Sequence, residues 1–175
     1  MLRETLDFIS EEHGRTMEEF RSLVSQGSIT YDLLWALFSP NSLIYRFYPL
    51  TEQDQILRSR IYSYEHTQNG DFFFIICDII TNDGDSFGIA RVPVQIEKFP
   101  GACKIQELAG YPLQYHKDPD DLCERLAARG RRYSQMTGFE YRQISGLAMR
   151  ETNTDRLEKL HVRFVICCPF YGINP

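Results

Sequence analysis

The sequence predicts an α+β domain: N-terminal helices, then an antiparallel sheet of about six to eight strands curled towards a barrel, with one long helix packed on it. Three observations carry that expectation. Apolar residues keep a helical period over residues 1–40, the period changes to strands from Ser42, and two hairpin signals, Asn69-Gly70 and Asp83-Gly84, follow before a strongly marked helix start at Pro119. Closely spaced hairpins favour antiparallel pairing, because parallel strands need crossovers of a dozen or more residues.

In the helical part, Leu2, Leu6 and Ile9 keep one face up to His13-Gly14, and Met17, Phe20, Leu23 and Val24 keep another up to Gly27, a glycine suited to end a helix. These read as two helices. A third, short one is expected over residues 31–38 with Thr30 as its cap. Its Leu33, Leu34, Trp35, Leu37 and Phe38 are apolar nearly all round, so they are either core or an interaction surface that a neighbour covers. Ser39-Pro40-Asn41 ends this segment.

Strands are expected over 42–48 and 55–66, the second leading into the Asn69-Gly70 turn. Residues 72–80, FFFIICDII, form an apolar run continuous enough to be covered on both faces. The returning strand alternates: Gly88, Ala90, Val92, Val94 and Ile96 face a core, while Arg91, Pro93, Gln95 and Glu97 face water. Pro93 marks an edge or a bulge, since it donates nothing to a ladder. Asp118-Pro119-Asp120-Asp121 then combines an aspartate cap, a proline at the first helical position and acids at the positive end of the dipole, which predicts a helix over 119–136. Leu122, Leu126, Arg129 and Tyr133 share its inward face. Two more strands, 139–149 and 161–168, flank a charged loop. The whole reads as one domain over 1–175, with a helical segment at 1–40 and a sheet-plus-helix part at 42–175.

Hydrophobic residues at 43% and charged ones at 25% describe a folding chain rather than a disordered one. A net charge of −5 argues against general nucleic-acid affinity. Five cysteines without paired spacing suit a reducing compartment, cytoplasmic or nuclear, and the acidic amphipathic start is no signal peptide. Without a long apolar run, no membrane partner is expected.

The sequence holds no phosphate loop, no glycine triplet for a dinucleotide and no paired spacing for zinc or calcium, so no cofactor and no metal are expected. One cationic concentration stands out: Arg125, Arg129, Arg131, Arg132 and Arg142. Cations near a helix C-terminus complement its dipole; the alternative is a binding site for an acidic ligand. His116 and Tyr115, at the corner before the helix, are the remaining candidates, His116 being most simply a structural side chain bonded to the helix start.

Taken together, Ile105-x-x-Leu108, Tyr111-Pro112-Leu113-x-Tyr115-His116, the acidic helix start, Arg129-Gly130-Arg131-x-Tyr133, Gly138, Tyr141, Gly146-Leu147-Ala148 and Asn174-Pro175 resemble the uncharacterised domain that precedes the motor of fungal AAA-type ATPases. Leu33-Leu34-Trp35-x-Leu37-Phe38-x-Pro40 joins the resemblance, which covers most of the chain and is clearest over 86–175. Cys167-Cys168 departs from it, standing where an aspartate is expected. The resemblance implies a non-catalytic accessory domain that recognises a protein substrate or adaptor, or aids assembly into an oligomer, with any ATPase motor lying C-terminal to Pro175. The rival class is a small stand-alone enzyme with a pocket at the sheet–helix junction, using His116, Tyr115, Asp78 or a cysteine for acid–base work.

Overall fold

The computed structural model describes residues 2–49, 52–82, 86–135, 142–151 and 157–166, with side chains described over 13–49, 52–81 and 86–135. Helix α1 (Leu2–Ser25) runs through His13-Gly14 without the expected break. One glycine in a helix costs only about 1 kcal/mol against alanine, which the turns on either side outweigh. The helix closes where expected: Gln26 N donates to Leu23 O at 3.0 Å and Gly27 N to Val24 O at 2.9 Å, with Gly27 at φ 68°. A short strand, β1 (Ser28–Thr30), leads into a 3-10 turn, Tyr31–Leu33, and a single α turn, α2 (Leu34–Leu37). Thr30 makes no side-chain capping bond, contrary to the sequence expectation. The turn is held instead from the sheet, where the Tyr64 hydroxyl accepts from Trp35 N at 3.4 Å and donates to Tyr31 O at 3.2 Å.

The sheet follows as β2 (Leu43–Tyr48), β3 (Gln53–Thr67), β4 (Gly70–Asn82) and β5 (Phe87–Glu97); β6 (Ala102–Lys104) pairs with β1, and β7 (Tyr111–Pro112) with β2. The main sheet is antiparallel in the order β5-β4-β3-β2-β7. The β3–β4 hairpin forms where expected, but its loop residues are Gln68-Asn69 rather than Asn69-Gly70: Gly70 pairs with Thr67 and, of the expected pair, only it has a positive φ, 128°. The Asp83-Gly84 turn lies outside the described residues. β5 is an edge, as Pro93 implied, and its Val94 and Ile96 are buried while residues 91, 93, 95 and 97 are exposed. A bulge at Arg60 shifts the β3–β4 register between Ser59 and Ile61. Beside it the buried Ser59 hydroxyl donates to Ser39 O at 2.6 Å, which joins the end of the helical segment to β3.

The core lies on one face of this sheet. Ile44, Leu57, Phe73, Ile75, Cys77, Val94 and Ile96 meet Ile29, Leu34, Leu37 and Phe38 from the N-terminal segment, together with Ile105 and Leu108. The sheet curls around that core. Arg46 on β2 donates through Nη1 to Pro93 O on β5 at 3.1 Å, although two strands lie between them, and buried Gly110 sits where an added Cβ would be 2.8 Å from Val94 Cγ1. The curl stops short of a closed barrel, because β5 and β7 are not paired with each other.

Helix α3 (Pro119–Ser134) begins at the predicted proline and packs against β3 and the 3-10 turn Leu113–Tyr115. Two further strands, β8 (Arg142–Glu151) and β9 (Leu157–Ile166), form an antiparallel ladder of their own, and this ladder takes in Arg150, Glu151 and residues 157–159, which were expected in the charged loop. No helix among the described residues is long and apolar enough to cross a membrane.

Candidate functional site

The corner before α3 is built from β2, β3 and β7. Register sets Tyr45 opposite Tyr111 and Ile56, on the sheet face turned away from the core strands' buried residues. The His116 ring packs on Tyr45 at 4.7 Å between centroids and stacks over Tyr111 at 6.4 Å. Its Nδ1 accepts the backbone N–H of Asp118 at 3.1 Å, which makes it the acceptor nitrogen of the ring and the cap of the helix. Asp118, expected to cap with its own carboxylate, makes no such bond. Asp54 completes the joint. Its carboxylate accepts from the Tyr45 hydroxyl at 2.8 Å and from Arg125 Nη1 at 3.0 Å, while its carbonyl accepts from Arg129 Nη2 at 2.8 Å. Burial alone would raise the Asp54 carboxyl, but the bonds from Tyr45 and Arg125 outweigh it and hold the pKa below the ordinary value. Burial and the bond to Asp54 push the Tyr45 phenol up to about 12.

This is a docking joint for α3, and it accounts for much of what the sequence singled out. Arg125 and Arg129 spend their donors on Asp54, whereas Arg131 and Arg132 are exposed in the last turn, in keeping with dipole complementation. Arg142 opens β8, and its side chain lies outside the described ones. The enzyme candidates do not converge. Among the described residues His116 partners Tyr45, Tyr111 and Asp118, while Asp78 on β4 is ion-paired with Arg60. Tyr115 packs against the core and its carbonyl accepts from Gln106. Cys77 is fully buried, and burial pushes its thiol up to about 11, a poor state for a nucleophile.

Of the candidate interaction surface, Leu33, Leu34, Leu37 and Phe38 are core residues, because a one-turn helix gains order only by packing. Only Trp35, 44% exposed, remains on the surface.

The open surface lies elsewhere. On the outer sheet face, Ile80 and Ile89 are cross-strand partners exposed to 73% and 68%, and Ile61, opposite Ile76, is exposed to 66%. Between them runs a cross-strand row, Arg58, Asp78 and Arg91, with Arg60 reaching in from the bulge. Arg60 is ion-paired with the Asp78 carboxylate, and Arg58 and Arg91 hold the register positions on either side of it, with exposed isoleucines on the adjoining rows. The expectation that residues 72–80 are covered on both faces is thus corrected: β4 is sealed on its core face, but its outer face is open at Ile80. Sequence reasoning passed over Arg58, Arg60 and Ile61 because a bulge, which period-2 reading does not see, aligns them with Asp78 and Ile76.

The architecture is that of an incompletely closed antiparallel sheet with a helical cover on its core face and a helix docked outside. A family described as a domain of unknown function, DUF7025, matches residues 19–117, more than half of the chain, and the chain belongs to it. The match runs from the second half of α1 to the residue after His116, ending before α3. No curated protein and no solved structure matches the chain.

Proposed function

We propose that this is a non-catalytic accessory domain of an AAA-type ATPase, which recognises a protein substrate or adaptor or aids assembly of the motor. The outer sheet face carries the reading. Scattered exposed apolar residues are ordinary, but three isoleucines about two-thirds bare on adjoining strands, set among arginines, are the composition of a protein-docking patch. Arginine is enriched at such interfaces for its planar, weakly hydrated cation. The resemblance to the domain preceding AAA motors supplies the context, and the separate placement of His116, Asp78 and Cys77 favours recognition over acid–base chemistry.

The test is the full reading frame, followed by substitution. A Gly-x-x-x-x-Gly-Lys-Ser/Thr motif downstream of Pro175 is expected. In that full-length protein, Ile80→Asp with Ile89→Asp should lower engagement of substrate or adaptor at least tenfold while substrate-free ATP turnover stays within about twofold. Turnover of a small substrate by the 175-residue chain alone, lost on His116→Ala, would overturn the proposal.

A further inference from the structure

Arg58, Asp78 and Arg91 are register partners across β3, β4 and β5, and the outward residues of β4 on either side of Asp78 have apolar partners: Ile76 faces Ile61, and Ile80 faces Ile89. The outer face is therefore banded apolar, charged, apolar, at a repeat of about 7 Å, two residues of strand. Within the charged band the groups differ. Arg60 is already committed, its Nε donating to Asp78 Oδ2 and its Nη1 to Asn41 Oδ1 at 3.2 Å, and the Asp78 side chain it neutralises is only 9% exposed. Arg58 and Arg91 are exposed, and among the described residues neither guanidinium has a hydrogen bond or an ion pair. A chain of net charge −5 thus keeps two unneutralised cations between exposed isoleucines on one sheet face. We infer that the partner segment docking on this face is acidic: an extended stretch of another protein reading apolar-x-acid-x-apolar. Its carboxylate lies between Arg58 and Arg91, and its apolar side chains lie on the Ile61–Ile76 and Ile80–Ile89 bands. The inference rests on the reading of this face as a protein-docking surface and names the chemistry of the partner.

Spacing selects an extended segment. Its alternate side chains repeat at the same distance of about 7 Å as the bands, so acid and apolar groups all fall on the side that meets the sheet. An amphipathic helix that keeps its acids opposite its apolar stripe cannot present both together. Arg58 and Arg91 stand two strand spacings apart, about 10 Å, and their long stems let both guanidinium groups approach one carboxylate from opposite sides. The isoleucines on either side exclude water and so strengthen those pairs. Nucleic acid fits less well, because a phosphate backbone offers nothing apolar and two free cations on an acidic chain attract it weakly.

Titration of the 175-residue chain, followed by its two-dimensional amide spectrum, tests the inference. The probes are the synthetic peptide Ser-Ile-Ser-Glu-Ser-Ile-Ser and its versions with glutamine or lysine at the centre. The glutamate peptide should shift the amides of Arg58, Asp78 and Arg91 and bind at least fivefold more tightly than the glutamine peptide, an advantage that shrinks as salt is added. Arg58→Gln with Arg91→Gln should erase that advantage, and Arg58→Glu with Arg91→Glu should transfer it to the lysine peptide. Both positions are exposed, and the glutamine pair places no new charge beside Asp78, so a dispersed spectrum should show that variant folded. Equal binding of the glutamate and glutamine peptides, lost on Ile80→Asp, overturns the acidic partner and leaves the docking surface standing. No shift at these amides with any peptide up to about 1 mM also overturns the inference, and the docking reading is then decided by Ile80→Asp with Ile89→Asp in the full-length protein. Duplex DNA or anionic vesicles that bind through the same arginines more tightly than the glutamate peptide overturn both.

Discussion

Asp54 shows how one side chain joins two elements and sets a pH limit on the joint. Its carboxyl has a lower pKa folded than unfolded, so the stability it lends is fully present above the unfolded value of about 3.9 and is lost as pH falls through the folded one. The wild type should therefore lose more of its melting temperature between about pH 5 and pH 3 than Asp54→Asn does, since the amide cannot titrate. Parallel acid limbs for the two proteins would remove Asp54 from the account. Gly110 makes a different demand at the same scale. Its φ is ordinary, but an added Cβ would lie 2.8 Å from Val94 Cγ1, 3.3 Å from Tyr45 O and 3.5 Å from Ile44 Cγ2, with no long side chain able to swing away. Gly110→Ala should cost about 1–3 kcal/mol, read as a lower urea midpoint at unchanged slope. An unchanged midpoint would mean that the β7 approach stands further from β5 than this packing requires.

At the scale of elements, α3 is instructive because its start was legible and its cap was not. Proline at the first position and acids in the first turn are local rules, and the helix obeys them. Which group satisfies the Asp118 N–H depends on where the preceding corner points, and that is decided by Tyr45 and Tyr111 holding the imidazole. Asp118→Ala should accordingly stay within about 0.5 kcal/mol of wild type, while His116→Ala should cost about 1–2 kcal/mol through the lost cap and ring contacts. The reverse order in thermal melts would restore the aspartate as the cap. The same division runs through the sheet. Alternation in residues 88–97 gave both faces of β5, because its period is local, and Pro93 gave its place at the edge. FFFIICDII could not reveal that the outer face is bare at Ile80, since bare and buried isoleucines look alike in a run. Nor did the cluster Arg58, Arg60 and Arg91 show, because cross-strand register and one bulge assemble it from separate strands.

For the molecule as a whole, the decisive contact is the one that keeps a strip of sheet curled when its edges do not pair. In a flat sheet β2 and β5 would lie about 14 Å apart, beyond the reach of an arginine, yet Arg46 spans them. Its Nε and Nη2 donate to Gln55 Oε1 at 3.1 and 2.7 Å, its Nη1 donates to Pro93 O, and its guanidinium lies 5.0 Å from the Tyr48 ring. Burial lowers its pKa, but an arginine remains charged, so its protons stay committed to these acceptors. Pro93 suits this role, because a proline carbonyl at an edge keeps its acceptor while offering no N–H to a stray strand. If this tie sets the curl, Arg46→Met, which keeps the stem and removes the donors, should lose about 1.5–3 kcal/mol. The loss should be distributed unevenly: amides of β5 and of Tyr111 should exchange faster by tenfold or more, while those in the β3–β4 ladder keep their protection. Arg46→Lys should recover little, having no planar fork to serve Gln55 and Pro93 together. Uniform loss of protection across the sheet would instead mean that Arg46 contributes to global stability alone, and that the packing of Gly110 against Val94 holds the two edges near each other.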